Sequence, residues 1–349
     1  MPFPLVKKLR RVLGLPAVAP ATVRRVGTDD ELLYEAVRWN INQNDAALYN
    51  LLHCARLVSW AARHAERTLR GATVLEMGTS KRPGLPFVLL MQGCAKVIAN
   101  NVFRVDPDLS ESYAKLIGML FAGFEEDVPQ RMQEVIAWER SDRGTRRARL
   151  RDERFENCSP VPAEEIALPD ESVDAAFSIA VLEHVKRPAA VLANGFRMLK
   201  SGGFCVHAID LRDHRDFGDP LRFLRESDEA YERECPQGEN RLRASEWLEH
   251  FAATGYEIVG AEFGDQPISL DARGRTDTAS AVLGASRQLD PADMLDKRAP
   301  RVSEAERERF APRFRRRSLA DLSQLSITVV ARKPGSGEDG ARLPGGPTV

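Results

Sequence analysis

Apolar residues along the chain alternate between short β-branched and aliphatic runs and stretches with three- and four-residue spacing, the mark of strands exchanging with helices. Thr28-Asp29-Asp30-Glu31 supplies a capping hydroxyl and acids at a helix start. Behind it Leu32, Leu33, Ala36 and Val37, then Leu48, Leu51, Leu52, Ala55, Val58 and Ala62, recur with helical periodicity. Ala72 to Met77 predicts a strand ending at Gly78, Pro86 to Gln92 a buried helix, and Ala95 to Ala99 a second strand. From Arg104 to Phe155 no strand alternation shows. Tyr113, Leu116, Ile117, Leu120 and Phe121 carry helical spacing, and the arginine-laden run from Glu139 to Arg154 reads as the solvated face of a helix on an insertion, with a surface for an acidic partner as the second reading. Regular order then resumes with a strand over Val173 to Val181 and a helix over Pro188 to Leu199, with proline in its first turn. Lys200-Ser201-Gly202-Gly203 reads as a helix stop and turn, and Phe204 to Ile209 as the next strand. A helix opening at Ser245 and stopping near Gly255, a strand over Tyr256 to Phe263, a polar insertion to about Arg317 and a last strand over Leu325 to Ala331 complete the pattern. No internal repeat of solenoid length is visible.

Composition narrows the class. The 349 residues are 43% hydrophobic, enough for a core, which excludes wholesale disorder. Fifty Lys+Arg against 51 Asp+Glu leave a formal charge of −1, without the basic surplus of a nucleic-acid binder. No apolar run reaches the ~20 residues a membrane span requires, and no secretory leader opens the chain. The segment from Pro2 to Pro20, with Lys7, Lys8, Arg10 and Arg11 among apolar residues, reads as a frayed terminal helix or as an amphipathic contact with an anionic membrane surface. Five scattered cysteines without a C-x-x-C pair predict reduced thiols, a cytoplasmic location and no cysteine zinc site.

The chemistry concentrates at strand ends. Val74-Leu75-Glu76-Met77-Gly78-Thr79-Ser80 brings a buried strand to an acid and then to a glycine, at which the backbone can pass close to a ligand. The three glycines of a dinucleotide loop are absent and Asn100-Asn101 offers no ribose acid, which argues against a nicotinamide oxidoreductase. A second block is more specific: Leu168-Pro169-Asp170-Glu171-Ser172-Val173-Asp174, then Ser178, Val181-Leu182-Glu183-His184-Val185 and Pro188, then Arg197-Met198-Leu199-Lys200-Ser201-Gly202-Gly203.

On these residues the chain resembles class I S-adenosylmethionine-dependent methyltransferases over about 71–334, outside the two insertions. The resemblance implies a doubly wound, seven-stranded Rossmann-like sheet whose last strand is antiparallel. The implied organisation is a basic segment 1–27, a helical cap 28–70, a methyltransferase domain 71–333 with insertions at about 104–155 and 265–317, and a disordered tail 334–349; the cap and insertions would form a lid. S-adenosylmethionine is the implied cofactor. Glu76, Gly78 and Ser80 match the loop holding its methionine and ribose end, Asn101 the ribose position, Ala163 the adenine, and Ile179 and Ala180 the methionine portion. Ser80 replaces a usual glycine, Asn101 a usual acid, and Pro162 a usual adenine-side acid.

Beyond the fifth strand stands Val206-His207-Ala208-Ile209-Asp210-Leu211-Arg212-Asp213-His214. Methyl transfer to a hydroxyl asks for a base, and an imidazole with an ordinary pKa near ~6.5 suits neutral pH. His214 or His207, oriented by Asp210 or Asp213, is the expected base. A divalent metal on Asp210, Asp213 and His214 is a rival, and a plain polar loop another. Arg212, Arg222, Arg241 and Arg243 are candidates for an anionic group on the substrate or for surface ion pairs. A similarity to methyltransferases of surface-polysaccharide biosynthesis leans the acceptor toward a small molecule or sugar hydroxyl. The alternatives are methylation at nitrogen or carbon and a cofactor-binding pseudoenzyme.

Overall fold

The computed structural model describes residues 68–79, 81, 83–110, 114, 128–140, 146–236, 238–264, 280–282 and 302–335. The basic N-terminal segment, nearly all of the helical cap, the Tyr113 to Phe121 stretch, most of 265–301 and the tail beyond 335 lie outside them.

Strands β1 (Thr73–Met77), β2 (Lys96–Asn100), β6 (Phe155–Asn157), β7 (Val173–Ile179), β8 (Leu199–Asp210), β9 (Glu257–Gly264) and β11 (Ser326–Arg332) form one sheet in the order β9-β11-β8-β7-β1-β2-β6. A short edge strand, β10 (Ser280–Val282), pairs antiparallel outside β9 and makes it eight-stranded. β6, β2, β1, β7 and β8 run parallel, and β11 inserts antiparallel between β8 and β9. This is the expected doubly wound sheet with its inverted last strand.

The near-continuous apolar strands follow from burial on both faces. Successive residues feed opposite cores: Val74, Val97, Ala99, Phe177 and Val206 pack with helix α1 (Gly84–Met91). Leu75, Met77, Ile98, Ala176 and Cys205 share the other face with residues of α3 (Pro188–Met198) and α5 (Ala244–Thr254). α1 is apolar all round and buried from Leu85 to Met91. α5 ends where Gly255 takes φ +101°, a left-handed cap suited to glycine.

Two expectations are corrected. The 104–155 insertion contains strands: β3 (Asp108–Ser110), β4 (Ile136–Arg140) and β5 (Arg146–Leu150) form a separate antiparallel sheet in the order β3-β5-β4, with α2 (Val128–Val135) leading into β4. The run read as a helix face is therefore strand at Glu139 and Arg140 and over Arg146–Leu150. Lys200 to Gly203 is not a turn ahead of its strand but an irregularity within β8, where the register with β7 slips between Val173 and Ala175.

A third apolar cluster joins Phe223, Leu224 and Tyr231 of the segment after β8 to Val302, Phe310, Phe314 and Leu322. Thus α4 (Asp228–Glu234) packs with the chain carrying α6 (Glu304–Arg307), α7 (Pro312–Arg315) and α8 (Leu319–Ser323). The buried Arg243 guanidinium donates to Leu211 O, Leu322 O and Gln324 O, tying this layer to the sheet.

Candidate active site

The residues that give the sequence its recognisable signature mostly hold the fold. Asp174 accepts the Thr73 N–H at 2.8 Å at the entry of β1 and pairs with Lys200 Nζ at 2.7 Å. Arg197 donates to Leu168 O at 2.7 Å and meets Asp170 at 2.5 Å, fastening the loop before β7 to α3.

Chemistry is left to the strand ends. β1 lies between β2 and β7, so the ends carrying Glu76, Asn101 and Ala180 are neighbours, about 5 Å apart from strand to strand. Gly78 adopts φ +79°, and a Cβ there would drive into the Val181 side chain, so both conformation and close approach require glycine. The Gly78 and Thr79 N–H groups both donate to Asn100 O, at 2.9 and 2.8 Å, folding the loop over the end of β2. Ala180 is exposed with φ +51°, a left-handed conformation that disfavours a Cβ and is concentrated at functional sites.

Glu76 is buried, accepts the Thr79 hydroxyl at 2.5 Å, and is pushed by desolvation up to about 7. Asn101 is buried as well, but its amide nitrogen donates to Thr79 O and its oxygen accepts the Val102 N–H at 2.6 Å. Its side chain thus braces the loop, whereas the sequence reading had it facing a ribose. Ala163 opens a short 3₁₀ turn (Ala163–Glu165) and its carbonyl accepts from Asn194. Ile179 packs half-buried against the α1-side core. Ser80 falls outside the described residues.

The expected base does not fit its surroundings. His214 Nε2 lies 3.1 Å from Asp210 Oδ2 in an ion-pair contact, and Nδ1 lies 3.0 Å from Glu239 Oε1. The two carboxylates raise its pKa to about 10, so at neutral pH it is an imidazolium and has no lone pair to accept a proton. His207 is buried within β8, bonded through Nδ1 to Ser178 Oγ at 2.7 Å; desolvation drives its pKa down to about 3, and it sits among core residues away from solvent. Asp210 does orient His214, while also taking a two-pronged Arg212 contact at 2.9 and 2.7 Å.

The rival metal triad does not assemble either, because Asp213 is fully buried and captured by Arg215 at 2.9 and 2.7 Å. The four arginines are mostly structural: Arg212 on Asp210, Arg241 on Phe223 O and Glu226 O, Arg243 on three carbonyls, and Arg222 in a loose surface pair with Glu226.

Three residues complete the cluster. Glu239 is buried, accepts from Tyr231 OH at 2.8 Å and is held at about 2 by His214 and Tyr231 against the opposing pull of burial. His184 stacks edge-on to His214 with ring centroids 5.1 Å apart, its pKa lowered by desolvation and by that neighbour. Glu183 is buried with neither carboxyl oxygen hydrogen-bonded among the described residues, and desolvation raises it to about 8. Glu183 and His184 were visible in the sequence as the turn after β7. Glu239 was not, since only the fold brings it to His214.

The sheet order is the one expected of a Rossmann-like methyltransferase fold. Residues 117–207, about a quarter of the chain, match a family described as a methyltransferase domain. That match covers β7, the turn after it, α3 and most of β8, and stops short of β1. No curated protein matches the chain. Among solved structures it is similar to geranyl diphosphate C-methyltransferase from Streptomyces coelicolor, at 14% identity over 95% of this chain and 98% of that one, TM-score 0.42. It is also similar to 1,6-didemethyltoxoflavin-N1-methyltransferase from Burkholderia thailandensis, at 13% identity, 92% and 94% coverage and TM-score 0.40. A third is an S-adenosylmethionine-dependent methyltransferase from Mesorhizobium loti, at 14% identity, 79% and 97% coverage and TM-score 0.40. These likenesses assign no residue role here. Among the described residues no helix is long and apolar enough to cross a membrane.

Proposed function

We propose that this chain transfers the methyl group of S-adenosylmethionine to a hydroxyl of a small molecule or a sugar or glycan intermediate. The observation that carries the reading is the set of adjoining ends of β2, β1 and β7, with left-handed turns at Gly78 and Ala180 on either side of a buried carboxyl at Glu76. The cofactor brings an electrophilic methyl on a positively charged sulfur. Glu76, once ionised, would take the cation of its methionine end, and the fit lies in a buried carboxyl whose side-chain partner is the uncharged Thr79 hydroxyl. Gly78 with Ser80 would line the loop, Ala163 the adenine side, and Ile179 with Ala180 the methionine portion. Asn101 holds the loop in shape. On the acceptor side, His214 is clamped between Asp210 and Glu239, so it would shape the acceptor pocket and not remove the substrate's proton.

We further propose a reducing, cytoplasmic setting, supported by the unpaired Cys94, Cys158, Cys205 and Cys235, and a small-molecule or glycan partner in place of nucleic acid. Calorimetry with S-adenosylmethionine and S-adenosylhomocysteine release against a panel of sugars, sugar nucleotides and phenols test the reading. Binding followed by turnover on a hydroxyl acceptor is expected, with His214→Ala sparing cofactor affinity and slowing turnover. Absence of cofactor binding overturns it.

A further inference from the structure

We propose that His184, His214 and Glu239 form a three-ligand site for a divalent transition-metal ion of the zinc class, beside the turn after β7. One ligand atom from each of the three lies within 4.8 Å of the others. Bonds of ~2.1 Å to a tetrahedral ion set such atoms ~3.4 Å apart, so small side-chain rotations close the site, with the ion taking the place of the proton that His214 Nδ1 shares with Glu239 Oε1, released to solvent. Two imidazole nitrogens and a carboxylate oxygen suit zinc and its first-row neighbours and do not suit magnesium or calcium, which prefer oxygen ligands.

The three ligands come from separate loops that the fold pins together. Asn240 clasps the turn after β7: its N–H donates to Glu183 O at 2.7 Å and its side-chain amide to Leu182 O at 2.8 Å and Val185 O at 3.2 Å. This fixes Glu239 beside His184. Tyr231 OH holds Glu239 Oε2, which leaves Oε1 on the His214 side. Gly238 makes room for that hydroxyl, since a Cβ there would stand 2.5 Å from it. Supporting hydrogen bonds of this kind fix the orientation of metal ligands.

A second observation points the same way. Glu183, immediately before His184, is 1% exposed and its carboxyl oxygens have no hydrogen-bond partner among the described residues. The charged groups acting on it are Asp210 and His214, and Asp210 is already matched by Arg212. A divalent cation between Glu239 and the two rings would place positive charge beside the buried Glu183 carboxyl. A group this buried and unpartnered is otherwise costly.

The site stands on its own side chains. Only its use, making an acceptor hydroxyl more acidic at the ion, rests on the methyltransferase reading. The test is therefore metal binding by the full chain after chelator treatment. Zinc titrated by calorimetry should bind with one equivalent, and cobalt should give visible d–d bands without thiolate charge transfer, which distinguishes this site from Cys158 or Cys235. His184→Ala, at an exposed ring, and Glu239→Gln should each weaken zinc at least tenfold. Absence of stoichiometric binding, thiolate bands with cobalt, or zinc affinity unchanged in His184→Ala overturns the site. S-adenosylmethionine affinity measured on the same samples separates the two readings: its loss with zinc binding intact counts against the cofactor pocket alone.

Discussion

Glu76 shows how one buried side chain sets a pH dependence. Its carboxyl moves from 4.5 to about 7 because burial outweighs the Thr79 hydroxyl bond. The folded state then holds the proton more tightly than the unfolded chain. Its titration costs nothing below pH 4.5, where both states hold the proton; the cost grows between 4.5 and 7, and above 7 it opposes folding by about 3 kcal/mol. Glu76→Gln should therefore gain stability over the natural protein at pH 8 and little at pH 4, read from urea midpoints at both. The same variant should weaken S-adenosylmethionine binding about tenfold or more at pH 8, read by calorimetry. An opposite pH trend would mean that Glu76 is charged in the fold. At Gly78 the constraint is steric. Alanine there adds a left-handed penalty to a clash with Val181, and a loss of about 2–3 kcal/mol with a lower Tm is expected. Substituting Val181→Ala in the same chain should recover part of it.

The legible elements were those whose periodicity is local. β1 and β7 are short, mostly apolar runs and α3 an amphipathic helix opened by Pro188, and such local patterns declare themselves without reference to the rest of the chain. The small sheet was hidden because its alternation is written in weak letters: in β5, Ala148 and Leu150 turn inward while Arg147 is exposed and Arg149 half-buried. Arginine stems and a lone alanine carry little hydrophobic contrast, and β3 pairs with β5 across some forty residues. His214 misled for a related reason. Its neighbour Asp210 is in the motif, whereas Glu239, which completes its capture, is twenty-five positions on. The turn after β7 depends on such distant support. Asn240→Ala should free the carbonyls of Leu182 and Val185 and cost about 1–3 kcal/mol in urea unfolding, with CD spectra unchanged.

Arg243 joins the parts of the protein in a comparable way, with a charged group placed where an apolar one would be expected. It is fully buried, its pKa lowered to about 10 by desolvation, and it serves backbone carbonyls in the last turn of α8, just after α8 and just beyond β8. Arg243→Met should remove those donors and lower stability by about 3 kcal/mol, with the loss visible as earlier proteolysis between Val302 and Gln324. If cleavage there is unchanged, the arginine is not what secures that layer. The contact at Gly78 reaches further still. The valine seated against that glycine belongs to the turn that carries Glu183 and His184, so the loop after β1 and the turn after β7 meet at a single packed contact. Any shift of one turn therefore presses on the other through the space that a missing methyl group leaves at Gly78.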